Sequence, residues 1–274
     1  MRYAICNETF EGWDHERVCR FVAEVGYTGL ELAPFTLAPR ITDVSVQRRR
    51  ELRRQAEDCG LKIIGLHWLL AKTQGLHLTS SDETVRQRTA EYLVELTRCT
   101  HDLGGELMVF GSPAQRSIPA GTTRGEAINN AVDVFRRVTP ALEHFNVRLC
   151  LEPLTPAETD FLTTCAEGVD LMQRIGHPNV CLHLDVKAMS SEATPVPDLI
   201  RHHAPHTGHF HANDPNKRGP GFGAVDFVPI FRALKESNYQ GWVSVEVFDY
   251  SPDPETIARE SLRYMKQCEQ AAAR

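Results

Sequence analysis

The sequence predicts an α/β fold, a single (β/α)8 TIM barrel spanning residues 1–274 as one domain, and three observations carry that prediction. Short β-rich runs alternate with longer helical patterns from one end of the chain to the other, which implies a parallel sheet. There are eight such runs, and no Pro/Gly/Ser linker or low-complexity segment interrupts them. The length of 274 residues is close to the roughly 250 that such a barrel needs and short for two ordinary enzyme domains. An open doubly wound sheet would satisfy the same count, but those sheets usually carry a Gly-rich phosphate turn after the first strand. Here that turn reads Cys6-Asn7-Glu8-Thr9-Phe10.

The predicted strands are Tyr3 to Asn7, Gly29 to Pro34, Lys62 to Leu69, Leu107 to Gly111, Arg148 to Pro153, Val180 to Val186, Thr207 to Asn213 and Trp242 to Phe248. Between them apolar residues recur three or four apart, as in Val85, Tyr92, Leu93, Leu96, Cys99 and Leu103, or Ile128, Val132, Phe135, Val138 and Leu142, the spacing of amphipathic helices. Asp14 is placed to cap the first helix, Gly60 to close the second in a left-handed conformation, and Asp226 to cap the helix after the seventh strand. Pro140 falls inside the fourth helical pattern and is expected to kink or divide it. A last helix, Glu255 to about Ala272, completes the ring.

Net charge is −6 and the isoelectric point is near 6.1, a balance that argues against a nucleic-acid or anionic-membrane partner held by a broad basic surface. Arg48, Arg49, Arg50, Arg53 and Arg54 read as the solvated face of a helix. Met1 to Phe10 lacks the apolar run of a signal peptide, and no stretch approaches the roughly 18 apolar residues of a membrane span. Eight cysteines stand singly, with no C-x-x-C pair, so free thiols in a reduced compartment are expected, and hence a cytoplasmic protein.

The chemistry is signalled by where acids and histidines fall in the last four strands. These end in Cys150-Leu151-Glu152-Pro153, His183-Leu184-Asp185, Phe210-His211-Ala212-Asn213-Asp214 and Val245-Glu246-Val247-Phe248. The C-terminal ends of barrel strands converge on one face, so Glu152, Asp185, His211 and Glu246 are expected to surround one point. Side chains alternate along a strand, which puts Cys150, His183, His209 and Ser244 in the layer beneath. Carboxylates buried at strand ends need a partner or a metal. Three carboxylates and one imidazole suit Mn2+ first, with Mg2+, Co2+ or Zn2+ as alternatives. Glu152 and Glu246, on strands separated by two others, could then approach a bound ketose from opposite faces, one removing a proton and the other returning it through an enediolate.

These residues resemble the xylose-isomerase-like TIM-barrel superfamily, in particular its sugar phosphate isomerase/epimerase members, the ketose 3-epimerase and hydroxypyruvate isomerase group. The resemblance rests on Leu151-Glu152-Pro153-Leu154 with Glu158 six residues on, on Leu184-Asp185, on His211 with Asn213-Asp214 and Arg218-Gly219-Pro220-Gly221-Phe222-Gly223, and on Tyr239 to Glu246. It implies that Glu152, Asp185, His211 and Glu246 hold the metal, that the two glutamates form the acid/base pair, and that Glu158 and Arg218 contact substrate oxygens. It further implies a small-molecule sugar as partner and leaves room for a homo-oligomer. Where the epimerase pattern has a histidine three residues after the metal-binding aspartate, this chain has Ala188. Lys187 shares the strand parity of Asp185 if the strand runs that far, and is a candidate to bind substrate in its place, against the alternative of a lysine reaching out to solvent.

In the first half, Glu31, His67 and Trp68 lie near strand ends and are candidates for the wall of a sugar site, while Trp13 and Phe248 fit ordinary packing as well. His202, His203 and His206 are expected on an exposed helix. The leading expectation is an isomerase or epimerase acting on a ketose. The alternative is a metal-dependent lyase or dehydratase on a keto-sugar or keto-inositol, left open by Lys187 and Ala188. A barrel that binds sugar without turning it over is disfavoured by the complete ligand set, and an abasic-site endonuclease by the acidic balance.

Overall fold

Eight short strands hydrogen-bond in chain order and close on themselves, every neighbouring pair parallel. They are β1 (Arg2–Cys6), β2 (Gly29–Leu32), β3 (Lys62–Leu66), β4 (Leu107–Phe110), β5 (Arg148–Leu151), β6 (Val180–Asp185), β7 (Thr207–Ala212) and β8 (Trp242–Val245). The structure is a computed structural model describing residues 1–274. Every predicted strand is present, and each stops one to three residues before its predicted end. Those last residues leave the ladder and turn into the loops that carry the functional side chains.

The outer ring is α1 (His15–Val25), α2 (Val46–Asp58), α3 (Glu83–Asp102), α4 (Arg124–Phe145), α5 (Cys165–Ile175), the short α6 (Val186–Met189), α7 (Val196–His203), α8 (Phe227–Glu236) and α9 (Pro254–Ala272). Local chemistry sets their ends. Asp14 accepts from the Arg17 amide at 2.8 Å at the start of α1, Asp226 accepts from Val228 at 2.9 Å before α8, and Gly60 follows α2 at φ 75°, where a residue without Cβ is unstrained. α4 opens with a reciprocal capping box between Thr123 and Glu126.

Three expectations are corrected here. Pro140 neither divides nor stops α4, which runs unbroken through it. The missing Pro140 N–H would leave the Arg136 carbonyl without its helical donor, and the Thr139 hydroxyl donates to that carbonyl at 2.9 Å instead. Arg49 is not on the solvated face of its run: it is buried, donating to the Val44 carbonyl at 2.9 Å and pairing with Asp102 at 2.9 Å. His203 is buried as well, continuing the face of α7 formed by Leu199 and Ile200.

One large core fills the space between strands and helices. Two small clusters stand apart from it, Ala4 with Ile64 and Trp242, and Leu107 with Val109 and Cys150. All eight cysteines are free, and no helix is long and apolar enough to cross a membrane.

Register brings the chemistry together. Asp185 pairs with His211 across β6 and β7, and His211 with Ser244 across β7 and β8. On the other side of the barrel the approach of β3 to β4 depends on Gly65, because a Cβ there would lie 2.0 Å from the carbonyl oxygen of Leu107. Backbone cannot yield as a flexible side chain can, so Gly65→Ala should destabilise the protein by about 1–3 kcal/mol, read as a lower denaturant midpoint. An unchanged midpoint would show that these two strands separate freely.

Candidate active site at the barrel mouth

The carboxyl ends of β5 to β8 deliver their acids and imidazole into one buried space. Glu152 follows β5, Asp185 ends β6, His211 lies in β7 and Glu246 follows β8, each 3% exposed or less. Donor atoms of Glu152, Asp185, His211 and a further residue, His183, all lie within 4.8 Å of one another. Glu246 joins through His211, with its Oε2 3.2 Å from His211 Nδ1. That contact lacks hydrogen-bond alignment, and both atoms remain without a partner although buried. Buried polar atoms are seldom left so. Orphaned oxygen and nitrogen atoms converging in one space are what a divalent cation requires, and this donor set fits one.

The surroundings hold these groups in place. Asn213 donates from Nδ2 to Asp185 Oδ2 at 2.5 Å and accepts from the Lys187 amide at 2.8 Å. Asp185 Oδ1 also accepts from the Ala188 amide at 2.7 Å, capping α6. The fully buried Arg116 donates to the backbone carbonyls of Glu152 (2.7 Å), Leu162 (2.6 Å) and Phe161 (3.1 Å), fixing the turn that aims Glu152. Gly111 leaves room for that carboxylate, since a Cβ would lie 1.6 Å from Glu152 Oε2.

The first half of the chain contributes more than the predicted wall. Glu31 is completely buried and sits at the outer nitrogens of two histidines, His209 Nε2 at 3.0 Å and His211 Nε2 at 3.2 Å. His67 bridges two glutamates, with Nδ1 3.2 Å from Glu246 Oε1 and Nε2 2.9 Å from Glu8 Oε2. Trp68, at φ 52°, stacks between Phe35 and Phe248 with ring centroids 5.7 and 5.6 Å away. A cavity of about 760 Å³ lined by Trp13, Phe35, Trp68, Lys72 and Tyr250 reaches this network at Glu8. A smaller cavity, about 340 Å³, lies around Arg2, Arg148 and Tyr239 at the opposite end of the strands, away from the titratable cluster and from the face where barrel chemistry is built.

Lys187 reaches the pocket by a different route from the one expected. β6 stops at Asp185 and the chain enters α6, so strand parity does not place the side chain. The helical turn buries it instead: Nζ lies 2.6 Å from Glu158 Oε1 and 4.5 Å from the Phe248 ring. Arg218 is engaged by a carboxylate, its Nε 3.0 Å from Asp249 Oδ2, with both residues partly exposed.

Electrostatics divides the two glutamates. Burial, then the charges of Glu246 and Asp185, push the Glu152 carboxyl well above its ordinary value. Burial and Glu246 raise Asp185 to about 6. Burial acts on Glu246 in the same sense, but His211 and His67 outweigh it and hold that carboxyl below the usual range. For Lys187 the penalty of burial is exceeded by Asp185 and Glu158, which keep the ammonium charged.

Sequence reasoning gathered the four strand-end residues and reached His67, Trp68, Lys187 and Glu158. It missed Glu8, Asn213 and Arg116. Glu8 had a signal, an acid directly after the first strand where a phosphate turn would have glycine, and Asn213 had one in its place after His211. A lone arginine in a loop such as Arg116 offers none.

A closed parallel barrel with a buried carboxylate–imidazole cluster at its carboxyl end is an enzyme-type architecture. The profile of the xylose isomerase-like TIM barrel family matches residues 19–268, and the chain belongs to that family. It is 29% identical over 249 residues to D-psicose 3-epimerase of Agrobacterium fabrum, covering 86% of this chain and 82% of that protein. It is 26% identical over 243 residues to L-ribulose 3-epimerase of Mesorhizobium japonicum, covering 88% and 79%. A crystal structure of D-psicose 3-epimerase in the presence of D-fructose shares the fold, with a TM-score of 0.87 and 23% identity across 98% of this chain and 99% of that one.

Two predictions follow from the geometry. The Gly111 contact is with the free end of a side chain, so Gly111→Ala should fold normally yet turn Glu152 aside, weakening Mn2+ binding at least tenfold; titration calorimetry with a thermal melt as control checks this, and unaltered binding would place Glu152 outside the ligand set. Divalent-metal affinity should also fall as pH drops through about 6, because Asp185 titrates there and Glu152 above its ordinary value, and each must lose its proton to bind. Calorimetry in buffers of different ionisation enthalpy should register proton release at pH 6.

Proposed function

We propose that this chain is a divalent-metal-dependent epimerase acting on a ketose, with Glu152, Asp185, His211 and Glu246 as the ion's ligands and Mn2+ as the first candidate. The observation that carries the reading is the convergence of acids and imidazoles from four consecutive strand ends on one buried space. Relatives named as ketose 3-epimerases across more than four-fifths of the chain support it. Bound there, a divalent ion would polarise the ketose carbonyl and stabilise charge developing on its oxygen.

The chain's own groups supply the proton transfers. Glu246, kept ionised by His211 and His67, is suited to take the proton from the carbon beside the carbonyl. Glu152, whose carboxyl is pushed above its ordinary value by burial and by the charges of Glu246 and Asp185, is suited to exchange a proton on the other side. Two acids whose environments drive their pKa values apart are the usual signature of such a division of labour. In the reverse direction the roles exchange. Lys187 and Glu158, paired at 2.6 Å, stand where they can hydrogen-bond substrate hydroxyls, and the Trp68, Phe35 and Phe248 rings give the sugar an apolar wall.

With Mn2+ and a panel of D-psicose, D-fructose and L-ribulose in D2O, the wild-type protein should form the C3 epimer and incorporate deuterium at that carbon. Glu152→Gln and Glu246→Gln should each lower exchange by about 10²–10⁴-fold with an unchanged circular dichroism spectrum. Full turnover by Glu246→Gln would overturn the two-base scheme, and loss of a leaving group in place of epimer would make the chain a lyase.

A further inference from the structure

We propose that His183 is a nitrogen donor to the same ion, giving this chain a metal site with two imidazoles, His183 and His211, beside its carboxylates. The inference rests on the metal reading above.

His183 lies in β6 two residues before Asp185, so both side chains point to the same side of the strand. Its side chain is completely buried, and neither Nδ1 nor Nε2 has a hydrogen-bond partner. A neutral imidazole carries one donor and one acceptor, and here both are unspent. The neighbouring histidines differ: His209 and His211 each direct Nε2 at Glu31.

Distance separates a ligand from a hydrogen-bonding partner. His183 Nε2 is 3.9 Å from Glu152 Oε1, beyond a hydrogen bond. Two donors on one ion, each about 2.1 Å from it, can be as much as roughly 4.2 Å apart when they face each other across it. The donor atoms of Glu152, His183, Asp185 and His211 come close to that spacing as a set, being mutually within 4.8 Å. His209 groups with the other two histidines but not with Glu152 or Asp185. The His183 and His211 rings lie edge to face with centroids 4.2 Å apart, and both His183 nitrogens and His211 Nδ1 are without hydrogen-bond partners.

A second imidazole changes which ion is preferred. Nitrogen donors favour Co2+ and Zn2+ over Mg2+ and Mn2+, which suit oxygen. The site should therefore discriminate among metals through a residue two positions before the strand-end aspartate.

The full chain, grown with ¹⁴N- or ¹⁵N-labelled histidine and loaded with Mn2+, is examined by electron spin-echo modulation, which counts coordinated imidazole nitrogens. Two are expected in the wild-type protein and one in His183→Leu, with Co2+ affinity falling at least tenfold more than Mg2+ affinity in the variant. His183→Met, if His183→Leu folds poorly, gives the same comparison, and circular dichroism establishes that either variant is native. A single imidazole in the wild-type protein, with Co2+ binding unaltered by the substitution, overturns this inference and leaves the metal reading standing. Failure of the wild-type protein to take up Mn2+ or Co2+ overturns both.

Discussion

Burying several ionisable groups in one space governs the rest of this molecule. Glu152, Asp185 and Glu246 are almost inaccessible to water, and two like charges about 4 Å apart repel by roughly 4 kcal/mol at an effective dielectric of 20. Against a total stability of about 5–15 kcal/mol, such a cluster is tolerable only with compensation. The protein supplies part of it through His211, His67 and Lys187, and the remaining strain shows as the upward shift of the Glu152 and Asp185 carboxyls. A divalent cation would complete it.

The supporting structure follows from that requirement. Arg116 fixes the Glu152 turn through three backbone carbonyls, Asn213 fixes Asp185, and Glu31 orders two histidines from the far side of the barrel. None of these contacts joins chain neighbours. Arg116 and Asn213 act between adjacent strands and Glu31 on β2 reaches β7 only because the barrel closes, which explains how a site can be ordered while its ligands sit on loop-proximal ends of short strands.

Lys187, buried by the helical turn that begins after Asp185, places an ammonium against Glu158 and the Phe248 ring. On the opposite wall Glu8 and His67 reach Glu246 through one imidazole. The space facing a substrate is thus more charged than the four strand-end residues alone would make it.

Much of this was legible in the sequence, because the signals were local. Alternation of strand and helix patterns gave eight strands in order, and the position of Glu152, Asp185, His211 and Glu246 at strand ends gave their convergence once closure was assumed. Side-chain parity put His183 beneath Asp185, but nothing in the chain revealed that its nitrogens go unpartnered. Lys187 reaches the pocket through a helical turn and not through strand parity, because parity holds only while the ladder continues, and where a strand stops is decided by pairing with its neighbours. Arg49 and Arg116 are buried by contacts with residues far away in the chain and His203 lies on the buried face of α7, so composition could not distinguish them from surface residues. Periodicity and spacing follow from each residue's covalent neighbours and therefore survive in the sequence. Hydrogen-bond partners, burial and the opposite directions in which the two glutamate carboxyls are shifted depend on distances across the closed barrel, which exist only after it has formed.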